Sequence, residues 1–101
     1  MTAYMIVTAK IVDRDAFING YGKAAAALVE QFGGKYVFRA PGGLLLEGGF
    51  GDNSSVVISE WPDKEAALRF WNSPEYADAK KLRDGLAECQ VLLVEGQLSG
   101  V

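Results

Sequence analysis

Arg83 stands seven residues after Tyr76, and Trp71 lies shortly before both. Seven residues are two helical turns, so on a continuous helix Tyr76 and Arg83 share a face and can meet the Trp71 ring at the end of the preceding helix. A guanidinium there can hold a carboxylate ligand in a bidentate pair. It can equally be tied up within the chain by Glu47 or Glu75, pinning the last helix, and the spacing serves both roles. Glu47 precedes Gly48-Gly49, where a loop approaches the core; partly buried it is a candidate to abstract a proton, and in solvent it is a loop glutamate or ion-pair partner. Tyr21 and Tyr76 could donate hydrogen bonds to an enolate or phenolate, or serve as core rings with a wet tip. Glu47, Arg83 and Tyr76 are the candidate catalytic residues. Tyr21, Arg39 and Trp71 are the candidate ligand contacts. Trp61 and Trp71 are packing residues first.

The chain has no histidine, which removes the usual general base, the usual activator of serine or cysteine and the commonest metal ligand. Haem would have to be held by Cys89 or a tyrosine, and zinc lacks a clustered ligand set, so no cofactor is expected. The single cysteine, Cys89, reads as a free structural thiol in a reducing compartment rather than a nucleophile. With 10 basic and 13 acidic residues the chain offers no basic field for phosphates, and nucleic acid is not an expected partner. Gly48-Gly49-Phe50-Gly51 lacks the spacing of a dinucleotide fingerprint. Asn53-Ser54-Ser55 matches a glycosylation sequon without a secretory context. Residues 35–39 lack the basic-glycine-aromatic pattern of an RNA-recognition module. Neither a signal peptide nor an apolar run of about 18 residues is apparent, so a cytoplasmic protein without membrane attachment is expected.

Half of the 101 residues are hydrophobic, enough for one folded domain spanning 1–101. Residues 3–12 read as a first strand. Asp13 then caps a helix with Phe17, Tyr21, Ala24, Leu28 and Phe32 as its stripe, ended by Gly33-Gly34 in a left-handed cap. Gly20 and Gly22 imply close packing or a frayed first turn. Strand two, residues 35–40, sends Tyr36 and Phe38 to one face by alternation. Pro41-Gly42-Gly43 breaks it, and a short extended piece, 44–47, leads into a turn-rich stretch. Strand three covers 55–61. Pro62 stops it and Asp63 caps a helix running to about Asn72. Ser73 and Pro74 open another, expected to reach about Leu86. Residues 90–98 read as strand four.

The resulting βαββαβ order, with the second helix doubled, is that of a ferredoxin-like α+β fold: a four-stranded antiparallel sheet with helices on one face. A wet second face should alternate apolar with polar. Instead strand one places Met5, Val7, Ala9 and Ile11 on one side and Tyr4 and Ile6 on the other, and strand four is apolar on both sides. A two-fold homodimer with sheets packed face to face is the expected cover.

Tyr4, Asp13, Tyr21, Gly33-Gly34, Glu47-Gly48, the run from Trp71 through Ser73-Pro74-Glu75-Tyr76, Arg83 and Glu95-Gly96 together resemble the DUF1330 family, an uncharacterised family of the dimeric α+β barrel superfamily. The likeness covers nearly the whole chain, and the spacing from Trp71 through Tyr76 to Arg83 is its most specific part. The resemblance implies a homodimer and small ligands held between sheet and helices, and it names no substrate. The superfamily includes cofactor-independent monooxygenases, haem-degrading enzymes and isomerases, so the fold alone assigns no reaction. The expectation is a cofactor-independent enzyme acting on a small carboxylated or aromatic metabolite, or a non-catalytic ligand-binding or structural dimer.

Overall fold

The computed structural model describes residues 1–99, and its elements follow the βαββαβ order. Strands β1 (Ala3–Ile11), β2 (Lys35–Ala40), β3 (Ser55–Trp61) and β4 (Ala87–Glu95) form one antiparallel sheet in the order β2-β3-β1-β4. Helices α1 (Arg14–Phe17) and α2 (Lys23–Gln31), joined by a π-helical turn (Ile18–Gly22), connect β1 to β2; α3 (Lys64–Trp71) and α4 (Pro74–Lys81) connect β3 to β4. The first and third strands lie at the centre, as in ferredoxin-like folds.

Three side-chain caps fix where the helices begin. The Asp13 carboxylate accepts from the Ala16 N–H at 3.1 Å, Asp63 from Ala66 at 2.8 Å and the Ser73 hydroxyl from Tyr76 at 3.0 Å. Each satisfies an orphan donor, and losing such a cap costs about 1 kcal/mol. α2 ends in a Schellman motif: the Gly33 N–H donates to Glu30 O and the Gly34 N–H to Val29 O, with Gly33 at φ 91°. Gly34 has a second constraint. A Cβ there would stand 2.8 Å from two ring carbons of Trp61, the most buried large side chain at 1% exposure. Trp61 donates its indole N–H to Ser59 Oγ at 2.9 Å, so the core holds the ring without an unpaired polar atom.

Four local expectations are corrected. The first helix is interrupted by the π turn that contains Gly20 and Gly22, and beyond it Ala25 and Val29 are the residues fully buried, with Ala24, Leu28 and Phe32 at the flanks. α4 stops at Lys81; residues 82–86 continue as turns with i→i−3 bonds, and Gly85 at φ 75° closes them. β4 begins at Ala87 and ends at Glu95 rather than covering 90–98. The fourth correction changes the faces. The pairs Tyr36↔Ser59 and Phe38↔Ile58 leave Val37 as the extra residue of a β-bulge, so Tyr36 and Phe38 point to opposite sides.

The helix side of the sheet carries Ala3, Met5, Val7, Trp61, Val91, Leu93 and Tyr36, packed against Val29, Ala66, Ala67, Phe70, Tyr76 and Ala79. The other side carries Tyr4, Ile6, Ile58, Phe38, Leu92 and Val94, with Lys35–Glu60 ion-paired at one end and Lys10 opposite Glu88 at the other. Phe38 is 50% and Leu92 53% exposed. The molecule is a slab of 36 × 36 × 17 Å, one sheet and one helical layer thick. The apolar side of the sheet carries no helices.

Candidate functional site

Tyr76 owes its position to the Ser73 cap. The serine hydroxyl accepts from the Tyr76 N–H and donates to Phe70 O at 2.8 Å, joining the end of α3 to the start of α4. This seats the Tyr76 ring, only 2% exposed, with centroids 4.5 Å from Phe70 and 5.2 Å from Trp71. Tyr21 arrives from the π turn of the other crossover, and its hydroxyl lies 2.8 Å from that of Tyr76. Two hydroxyls share one hydrogen in such a bond, leaving the second free to donate elsewhere.

Arg83 lies against this pair. Its guanidinium carbon sits 5.2 Å from the centre of the Tyr21 ring, and its Nη1 is buried without a hydrogen-bond partner. Among the described residues no carboxylate pairs with it, so the expected alternative of a bond to Glu47 or Glu75 is not what holds it. A buried cationic donor left unpaired is costly, and native proteins rarely retain one without a use. Lys80, not Arg83, lies over the Trp71 ring, at 4.7 Å.

Tyr36 extends the cluster toward β2, with the Arg39 guanidinium 4.6 Å from its ring centre. Burial raises the Tyr21 phenol well above its ordinary pKa; the neighbouring Tyr76 adds to this, and Arg83 pulls the other way. Burial also raises Tyr36, with Arg39 opposing. Both phenols stay protonated at neutral pH and act as donors. The arrangement is therefore three tyrosines with a guanidinium at each end, suited to stabilising an oxyanion rather than making one.

Tyr21, Tyr76, Arg83 and Trp71 are thus brought together, and Arg39 joins through Tyr36. Glu47 does not join them: it is exposed on the loop between β2 and β3, correcting the expectation of a partly buried carboxylate. Tyr36 is not singled out in the sequence, where alternation groups it with Phe38 on one face and the bulge separates the two. The space beneath α4 is filled by rings. Two hollows lie elsewhere, one of about 230 Å³ along Ala77, Lys80, Lys81 and Asp84, the other of about 310 Å³ between loop residues 49–54 and Thr8, Lys10, Glu88 and Gln90.

A family model described as a domain of unknown function, DUF1330, matches residues 2–97. Among curated proteins, none matches the chain. Solved structures share the fold. A protein of unknown function from Rhodopseudomonas palustris is 21% identical with a TM-score of 0.76, over 96% of this chain and 83% of that one. SnoaB, a cofactor-independent oxygenase from Streptomyces nogalater, is 19% identical with a TM-score of 0.69, over 98% and 96%. A dimeric protein of unknown function and ferredoxin-like fold from Bacteroides fragilis is 19% identical with a TM-score of 0.59, over 94% and 96%.

Proposed function

The chain belongs to the DUF1330 family, and on that premise we propose that it is a homodimer whose subunits each bind a small aromatic or carboxylated metabolite at Arg83 and the Tyr21–Tyr76 pair, and turn it over without a cofactor. The unpartnered Arg83 Nη1 carries this reading. A ligand oxyanion supplies the missing acceptor, and the free hydroxyl hydrogen of the tyrosine pair donates to the same oxygen or its neighbour. Charge developing on an enolate or phenolate is stabilised by both groups from fixed positions, which is how preorganised donors lower a barrier. Trp71 supplies an aromatic wall, and Arg39 with Tyr36 marks the second end of the cluster. Glu47 is left outside this site.

The homodimer reading rests on the open apolar sheet side, which carries Ile6, Phe38, Ile58 and Leu92 where a soluble face would alternate. The dimeric protein from Bacteroides fragilis has the same fold and supports it. The oxygenase from Streptomyces nogalater supports turnover without a cofactor on this fold. The near-complete burial of Tyr76 favours a second reading, in which the site binds a ligand and does not turn it over.

The experiment is a calorimetric screen of small aromatic acids and phenols against the wild type, Tyr21→Phe and Arg83→Met, with product analysis of each binder. Binding lost in Arg83→Met supports the site. Binding unaffected by either substitution overturns it. Binding without product selects the non-catalytic reading.

A further inference from the structure

We propose that the hollow of about 310 Å³ beneath the β2–β3 loop is a second ligand site, on the sheet side away from the tyrosine cluster, for a free α-amino acid with a short polar side chain. Its floor follows from the strand register. Thr8 stands opposite Gln90 and Lys10 opposite Glu88, at the end of the helix-free face where the apolar pair Ile6 and Leu92 gives way to polar residues. Its roof comes from residues 49–54, and the bonds of the loop itself hold that stretch in place. The Asn53 N–H donates to Gly43 O at 3.2 Å and the Ser54 N–H to Gly51 O at 3.0 Å, while Arg14 Nη2 ties the two ends of the loop by donating to Pro41 O at 3.3 Å and to Ser55 Oγ at 2.9 Å. Gly51, at φ 72°, lets the backbone come close to the floor: a Cβ there would stand 3.6 Å from the Thr8 methyl group.

Three features define what the hollow can take. First, Thr8 and Ser54 are each only 3% exposed, yet their hydroxyls reach their acceptors, Gln90 Oε1 and Asp52 O, at 3.3 and 3.4 Å, beyond the roughly 2.5–3.0 Å of a good O–H···O bond. Buried hydroxyls held so loosely keep donor and acceptor capacity for a ligand. Second, Lys10, Glu88 and Asp52 line the hollow, and among the described residues no ion pair involves any of them, although Lys10 and Glu88 are cross-strand partners. A simple anion would meet the two carboxylates and a simple cation would meet Lys10. A zwitterion meets neither objection, with its carboxylate on Lys10 and its ammonium on Glu88 and Asp52. Third, the lining has no aromatic and no large aliphatic side chain, which excludes an apolar ligand. Lys10 and Thr8 are two residues apart, about 6.7 Å along a strand, so a zwitterion at Lys10 carries a side-chain amide or hydroxyl inward to Thr8, Ser54 and Gln90. At about 30 Å³ per water-sized group the hollow holds about ten non-hydrogen atoms, the size of glutamine.

The test is a titration of the ¹⁵N-labelled chain with L-glutamine and L-asparagine, followed through backbone amide shifts. Saturable shifts are expected at Gly49, Gly51 and Gln90. N-acetylglutamine, which lacks the ammonium, and glutamine amide, which lacks the carboxylate, should each bind at least about tenfold more weakly. Lys10→Met and Glu88→Gln, both at exposed positions outside the core, should weaken glutamine binding by about tenfold each, whereas Arg83→Met should leave it unchanged. That last arm keeps this site separate from the one at the tyrosine cluster, so either can fail without the other. No saturable shift with either amino acid up to about 50 mM, well past the millimolar range of weak ligands, means that the hollow holds only water and overturns the proposal. Binding indifferent to Lys10→Met and Glu88→Gln, or equally strong for the blocked amino acids, also overturns it.

Discussion

Replacing Arg83 by methionine separates a binding residue from a structural one. The substitution keeps an unbranched apolar stem of similar reach and removes the guanidinium. In the ligand-free protein Nη1 is buried without an acceptor, a condition that costs about 1–3 kcal/mol for a buried donor. Arg83 as a whole is half-buried, so the lower end of that range applies. Against the relief stands the loss of the guanidinium–ring contact with Tyr21 at 5.2 Å, about 0.5–1 kcal/mol at a partly exposed site. The balance runs from neutral to a gain of about 0.5 kcal/mol, a rise of up to about 4 °C in melting temperature for a domain of this size. The assay is urea unfolding followed by tryptophan fluorescence, with thermal melts as a check. A variant less stable than the wild type by more than about 1 kcal/mol would refute the reasoning, because that is the signature of a broken structural pair.

Gly34→Ala should destabilise by about 2 kcal/mol and alter the near-ultraviolet signal of Trp61, since the new methyl group meets the ring at 2.8 Å; wild-type stability in urea would show that the ring has room to move. Stability should also fall at high pH: below about pH 10 Tyr21 is neutral in both states, whereas above it the unfolded chain ionises and the buried phenol does not, a slope of about 1.4 kcal/mol per pH unit. Urea midpoints measured from neutral to strongly alkaline pH should show this fall, reduced in Tyr21→Phe; equal slopes in the two proteins would contradict it.

The elements that the sequence places well are those set by local chemistry. Asp13, Asp63 and Ser73-Pro74 mark helix starts because a cap needs only its own next turn, and the Gly33-Gly34 stop is equally local. β3 carries the expected bounds because Pro62 ends it. What escapes is non-local. The bulge at Val37 depends on register with β3, so alternation within β2 alone puts Tyr36 and Phe38 on one face when they lie on opposite ones. The π turn carries Tyr21 to Tyr76 across the two crossovers, and its glycines announced only that the helix is irregular. Of the candidate site, the Tyr76–Arg83 spacing anticipated that the two residues lie near one another but by a wrong route, since α4 ends before Arg83 and a tighter turn delivers it. Glu47 failed because glycines beside an acid indicate a loop and say nothing of its depth.

The bulge at Val37 makes β2 a strand with two allegiances. Tyr36 belongs to the interior and Phe38 to the outer face, and two peptide bonds separate them. Any event that shifts the outer ring, such as a second sheet pressing on it, pulls on the same short stretch of backbone that holds the inner ring beside Tyr76. The strand is therefore a lever whose two ends sit in different environments, with Val37 as its fulcrum. Under the proposed assembly and ligand binding, the two events would share that stretch of backbone.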